Sequence, residues 1–208
     1  MNYFLEVDNL SAYLESDEVV DWSNLSVTKA ALEIAAGLTS DMSKAKALFE
    51  WVRDTIPHTC DASREEVTCA ASDVLSVGTG LCYAKAHLLA GLLRASGIPA
   101  GFCYQVYFEE LHASESKLAL HGLNAIYLAS LQKWLRVDCR GNKDGVDAQF
   151  NTDTEQLAFP ELELLDNCIY ASPLPQVVEA LRTWPTLTSL WPHLPGPKQA
   201  QQEYTRAE

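Results

Sequence analysis

Residues 82–96, CYAKAHLLAGLLRAS, read as a helix that is apolar around most of its circumference. Ala86, Leu89, Ala90 and Leu93 form one stripe at helical spacing, and Leu88, Leu92 and Ala95 widen it. Gly97 and then Pro99 supply the stop. A helix with so little polar surface is stable only when other elements coat it. The remainder of the 208 residues has to provide that coat.

Upstream, the pattern is helical. Residues 24–36 place Val27, Ala30, Ala31, Ile34 and Ala35 on one face, with Gly37 as the stop. Residues 41–55 carry the stripe Ala45, Leu48, Phe49 and Val52, with Asp41 or Ser43 as the expected cap and Pro57 beyond the end. Residues 57–80 read as loop with a short helix at 70–76. Downstream, the period changes to that of strands. Residues 101–108 (GFCYQVYF), 121–128 (HGLNAIYL) and 134–138 (WLRVD) are three such runs, the last two joined as a hairpin. Short helices are expected at 175–183 and 186–191. Helices followed by antiparallel strands predict an α+β domain, with the central helix packed on an antiparallel sheet. Residues 1–194 read as a single domain, and residues 195–208, PGPKQAQQEYTRAE, as a disordered tail.

Lys and Arg number 15 against 28 Asp and Glu, a formal charge of −13. Residues 1–50 hold nine acids and three bases, and residues 151–208 eight and three, so the acidity sits at the two ends. No basic patch stands out, which argues against nucleic acid and against an anionic membrane as partners. The first twenty residues lack a basic stretch and carry acids early, unlike a signal peptide. No apolar run approaches the ~20 residues of a membrane span. The expected compartment is the cytosol, where six cysteines are read as thiols.

Chemistry concentrates in the middle. Cys82 follows Gly78-Thr79-Gly80-Leu81 and opens the central helix. A helix start carries unpaired N–H groups and partial positive charge, which favour a thiolate. The glycines let the backbone approach a substrate closely. A thiol nucleophile needs a base. His87 lies five residues along the helix, about 140° round the axis, and faces away. His121, heading a strand, is the better base. Asp138 closes the following strand. With Ala129 and Ser130 centring the turn, residues 128 and 131 pair and His121 lies opposite Asp138. A slip of two residues keeps them on one face, whereas a slip of one does not.

Three segments resemble the transglutaminase-like cysteine enzyme superfamily. They are GTGLCYAKAHLLAGLLRASGIPA around Cys82, LHGLNAIYL around His121 and KWLRVDCRGN around Asp138, in the family's order Cys, His, Asp. IPHTCD, LCYAKAHLLAGLLRASGIPAGFCYQ and RGNKDGVDAQFN are similar to segments of bacterial proteins of this type. The resemblance spans about residues 45–142. It implies a papain-like, transglutaminase-core fold, a Cys82–His121–Asp138 triad, no cofactor and a protein or peptide substrate, with an amine as a possible acyl acceptor. The reaction implied is acyl transfer from amide bonds through a thioester, of protease, deamidase or transglutaminase type. The Cys82 N–H is one expected oxyanion donor. The family's second donor is an upstream aromatic side chain, and Trp51 lies in that general region. Tyr83, Tyr104, Gln105, Arg140 and Asn142 are the expected substrate contacts. His58 and Asp61 rim the cleft, or Asp61 caps the next turn.

Two alternatives stand beside this reading. One is a catalytically silent binding module that keeps the fold, motivated by the missing second oxyanion donor. The other is arylamine acetyl transfer, for which no CoA phosphate site is visible. His58, Cys60 and Cys69 are zinc-ligand types, but without a C-x-x-C pair or a fourth ligand no metal is expected.

Overall fold

The computed structural model describes residues 3–111 and 115–197. The elements run β1 (Phe4–Leu5), α1 (Leu25–Ile34), α2 (Asp41–Thr55), α3 (Ala71–Val77), α4 (Cys82–Ala95), β2 (Ala100–Leu111), β3 (Glu115–Leu128), β4 (Lys133–Val137), β5 (Glu163–Leu164), β6 (Cys168–Ile169), α5 (Pro175–Thr183) and α6 (Leu187–Leu190). Short 3-10 turns cover Leu10–Leu14 and Trp191–His193. The fold is α+β. Helix α4 packs on an antiparallel four-stranded sheet of order β4-β3-β2-β5, and β1 and β6 form a separate parallel pair. Among the described residues, no helix is long and apolar enough to cross a membrane.

Every residue of α4 from Cys82 to Arg94 is buried. Helices α1, α2 and α3 cover it on one side and β3 on the other. The charged residues along it are buried only because each finds partners. Lys85 donates to the carbonyls of Arg53 and Ile56 at the end of α2. His87 packs edge-on against Phe102, and its Nδ1 lies 2.8 Å from the Cys69 carbonyl. Gly122 of β3 permits the closest approach: a Cβ there would sit 2.9 Å from the Tyr83 ring. One turn along, Asn124 Nδ2 donates to Ala86 O at 3.0 Å and ties strand to helix.

Helix α2 runs over the expected residues, but its cap differs. Ser40, not Asp41 or Ser43, is the N-cap, and its Oγ accepts from the Ser43 N–H. The Asp41 carboxylate is used elsewhere, accepting from the Ser130 N–H in the β3–β4 turn. That turn is the reason the hairpin register differs from the expected one. Residues 129–132 form a four-residue loop with Gln132 at φ +51°, and Leu128 pairs with Lys133 instead of residue 131. The offset is two residues, so the side chains keep their faces. Strand β4 ends at Val137 opposite Asn124, which leaves the edge of β3 at Gly122 and His121 without a strand neighbour.

The main core lies between the helices and the sheet. A second cluster of Tyr13, Cys103, Leu123, Ala125, Trp134 and Ile169 covers the opposite sheet face. Residues 198–208 of the expected tail lie outside the described residues. Its first residue is ordered against the sheet, with Leu120 N–H donating to Pro195 O at 2.9 Å.

Candidate active site

Three elements meet where the edge of β3 is open. Cys82 is the first residue of α4, whose N-cap Leu81 supplies no side-chain hydrogen bond. Cys82 is 9% exposed. His121 sits on β3, one residue before the glycine against which Tyr83 packs. Asp138 is the first residue after β4. His121 Nε2 lies 2.7 Å from Asp138 Oδ2. The Cys82 side chain lies close enough to the ring to favour its charged form. The structure therefore brings Cys82 beside the hydrogen-bonded pair His121 and Asp138.

Asp138 is held on all sides. Its Oδ1 accepts from Arg140 N–H at 3.0 Å, and its Oδ2 also accepts from Ala158 N–H at 3.1 Å. Burial alone works against its charge, but His121 and these backbone donors outweigh it and keep the carboxyl below its ordinary pKa. For His121 burial likewise opposes the charged form, and Asp138 and Cys82 outweigh it, so its pKa is raised. Each group of the pair thus favours the charged form of the other. Phe159 closes one side of the imidazole, edge-on with centroids 5.0 Å apart, and the Arg140 guanidinium lies over the Phe159 ring.

The other expected contacts have structural duties. Tyr83 is buried and donates its hydroxyl to Leu120 O. Tyr104 is buried and its hydroxyl accepts from Leu174 N–H at 3.0 Å. Gln105 Nε2 donates to Phe159 O and Leu162 O, tying the loop that carries Phe159 to β2. Asn142 bonds both polar groups of Ala148 through its amide. Trp51 is half-buried and packs against the main core. Arg140 forms a two-point ion pair with Asp61, which Lys143 joins at 2.8 Å. Asp61 is thus a bridge between loops and not a turn cap. Against the cost of its own burial, these two cations hold its carboxyl well below the usual range.

Local sequence gave no signal for Ala158 and Phe159, which reach the site through a loop that begins twenty residues earlier. Lys85 did leave one: a lone Lys inside an otherwise apolar helix must have buried acceptors. Burial pushes its pKa down to about 8. Among the described residues, no group of three or more His, Cys, Asp or Glu side chains is placed to hold a metal ion.

A family model, the transglutaminase-like superfamily, matches residues 28–139, a span that holds all three site residues. The chain belongs to the transglutaminase-like superfamily. Members of that superfamily are generally enzymes of the cysteine protease or transglutaminase type. Similar solved structures include a candidate cysteine protease of Cytophaga hutchinsonii, at 20% identity and TM-score 0.49, covering 65% of this chain and 43% of that one. The periplasmic domain of TgpA from Pseudomonas aeruginosa is similar at 22% identity and TM-score 0.47, covering 64% of this chain and 48% of that one. The chain thus spans less than half the length of either. No curated protein matches it.

Proposed function

We propose that this protein is a cysteine acyl-transfer enzyme acting on amide bonds of proteins or peptides. The observation that supports the reading best is Cys82 at an uncapped helix start, beside the hydrogen-bonded pair His121 and Asp138. In this reading the Cys82 thiolate is the nucleophile, His121 the acid and base, and Asp138 the residue that orients and charges the imidazole.

The sulfur attacks the carboxamide carbon as the carbonyl electron pair moves to oxygen. The Cys82 N–H, unpaired at the helix start, donates to that oxyanion. The tetrahedral species collapses as His121 gives its proton to the leaving amine, and a thioester on Cys82 results. Neutral His121 then takes a proton from an incoming water or amine, which attacks the thioester and frees the thiolate. Water gives protease or deamidase chemistry, and an amine gives transglutaminase chemistry.

Mass spectrometry of the protein treated with a peptide chloromethyl ketone tests the reading. The expected product is a single covalent adduct on Cys82, absent from Cys82→Ala. Modification spread over other cysteines, with Cys82 unmodified, contradicts it and returns the fold to a binding role.

A further inference from the structure

His58 is a buried titratable group beside the site that the mechanism above leaves unused. Its backbone forms a parallel bridge with Gly80, so it lies across from the residue two before Cys82. Thr59 N–H donates to Gly80 O at 3.1 Å and Gly80 N–H to Pro57 O at 3.4 Å. These bonds fix His58 to the loop that delivers Cys82 and its N–H. The residue is 9% exposed, and its Nδ1 is buried without a hydrogen-bond partner among the described residues. A buried polar nitrogen left unpaired costs stability, and its retention calls for a ligand atom to complete it.

Several other side-chain donors near the site are committed. Tyr83 donates to Leu120 O, Gln105 Nε2 to two loop carbonyls, and both terminal nitrogens of Arg140 to Asp61. Trp51, the aromatic suggested by its place in the sequence, packs against the main core. The charge state of His58 separates the roles open to it. Burial first, and Arg140 second, push its pKa down to about 3, with the charge of His121 adding to the effect. A ring that stays neutral through the physiological range is a poor proton acceptor there. It still carries one N–H to donate.

We propose that His58 is the second oxyanion donor: its Nδ1–H and the Cys82 N–H together hold the oxygen that becomes negative when Cys82 attacks an acyl carbon. This rests on the acyl-transfer reading of the site. His58 transfers no proton. As the sulfur–carbon bond forms, the carbonyl pair moves to oxygen, and that oxygen accepts two hydrogen bonds. When the pair returns, the leaving group departs with its proton from His121, and His58 is unchanged.

Two reagents distinguish a donor from a merely structural residue. p-Nitrophenyl acetate acylates a cysteine through a tetrahedral oxyanion, whereas iodoacetamide alkylates it by displacement and forms none. His58→Gln and His58→Met are similar in shape, but only Gln presents an N–H. The acylation burst of His58→Met is expected to slow about 100-fold against wild type. His58→Gln should recover a measurable part, and alkylation of Cys82 should stay within about twofold in both. Equal acylation in wild type and a folded His58→Met overturns the assignment, as does a parallel fall of acylation and alkylation. Should neither variant fold, 15N NMR of wild-type His58 decides, since a bare Nδ1 contradicts the proposal and a protonated one supports it. Wild-type protein that alkylates at Cys82 but shows no acylation burst overturns the acyl-transfer reading itself, and the proposal with it.

Discussion

The two ends of α4 are built to opposite rules. At the C-terminal end nothing is left open. Gly97 takes φ +75°, and the N–H groups of Ser96, Gly97 and Ile98 return to carbonyls of the last turn. Arg94, itself buried, donates to the carbonyls of Ala100, Glu15 and Ala171 and lies over the Phe102 ring. At the N-terminal end no side chain caps the helix, a thiol stands first, and His58 Nδ1 lacks a partner nearby. One end ties the helix into the fold, and at the other, among the described residues, hydrogen-bonding groups stay unspent. The difference teaches how to tell a structural buried charge from a functional one: count which hydrogen-bonding groups are spent.

The largest effect expected is at the open end. Cys82→Ala should remove acyl transfer by at least ~10⁴-fold while the melting temperature is unchanged, measured by product formation and circular dichroism. A destabilised, still active variant would reverse the assignment of the two ends. Next is Asp138→Asn, close in shape but without the charge that sustains His121. Acyl transfer should fall by about 10²–10⁴-fold, and the rate of Cys82 alkylation should fall with it.

At the closed end, Arg94→Met should cost about 3 kcal/mol or more in urea unfolding, because three carbonyl acceptors lose their donor. The alkylation rate of Cys82, per folded molecule, should stay within about twofold of wild type. A large change in that rate would show that the two ends are coupled.

The smallest effect concerns pH. Burial lowers the His87 pKa to about 4 and the His58 pKa to about 3. Below about pH 6.5 the unfolded chain protonates both rings and the folded protein neither, so their burial costs stability as pH falls. Each of these two groups should cost about 1 kcal/mol of stability per pH unit between pH 6 and 4.5. His87→Gln should halve that slope. His121 acts in the other direction: its pKa is raised, so its contribution is intact below pH 6.5 and is lost as pH rises through the folded value. Urea unfolding across the pH range checks both signs, and an unchanged slope in His87→Gln would contradict the assigned burial.

Much of this was legible in the sequence where local rules govern. Helix α5 runs over the expected residues, and α4 and the stripe of α2 follow from periodicity and stop signals. What escaped was set by contacts distant in sequence. The hairpin register depends on Asp41, 89 residues from the Ser130 N–H it holds. The duty of Arg140 depends on Asp61, 79 residues away. Parity survived the register error because side chains alternate with a period of two. That is why Cys82, His121 and Asp138 could be grouped from sequence while their neighbours Ala158 and Phe159 could not.

The most direct test of the account is a race among the cysteines at pH 7. Burial pushes the thiols of Cys60 and Cys69 up to about 11 and that of Cys139 up to about 12, so these are poor nucleophiles at neutral pH. With limiting iodoacetamide and peptide mapping over time, Cys82 should be carboxamidomethylated first, and Asp138→Asn should erase its lead. Equal labelling of all the cysteines, or a lead for Cys82 that survives Asp138→Asn, would contradict a nucleophile charged through His121 and Asp138.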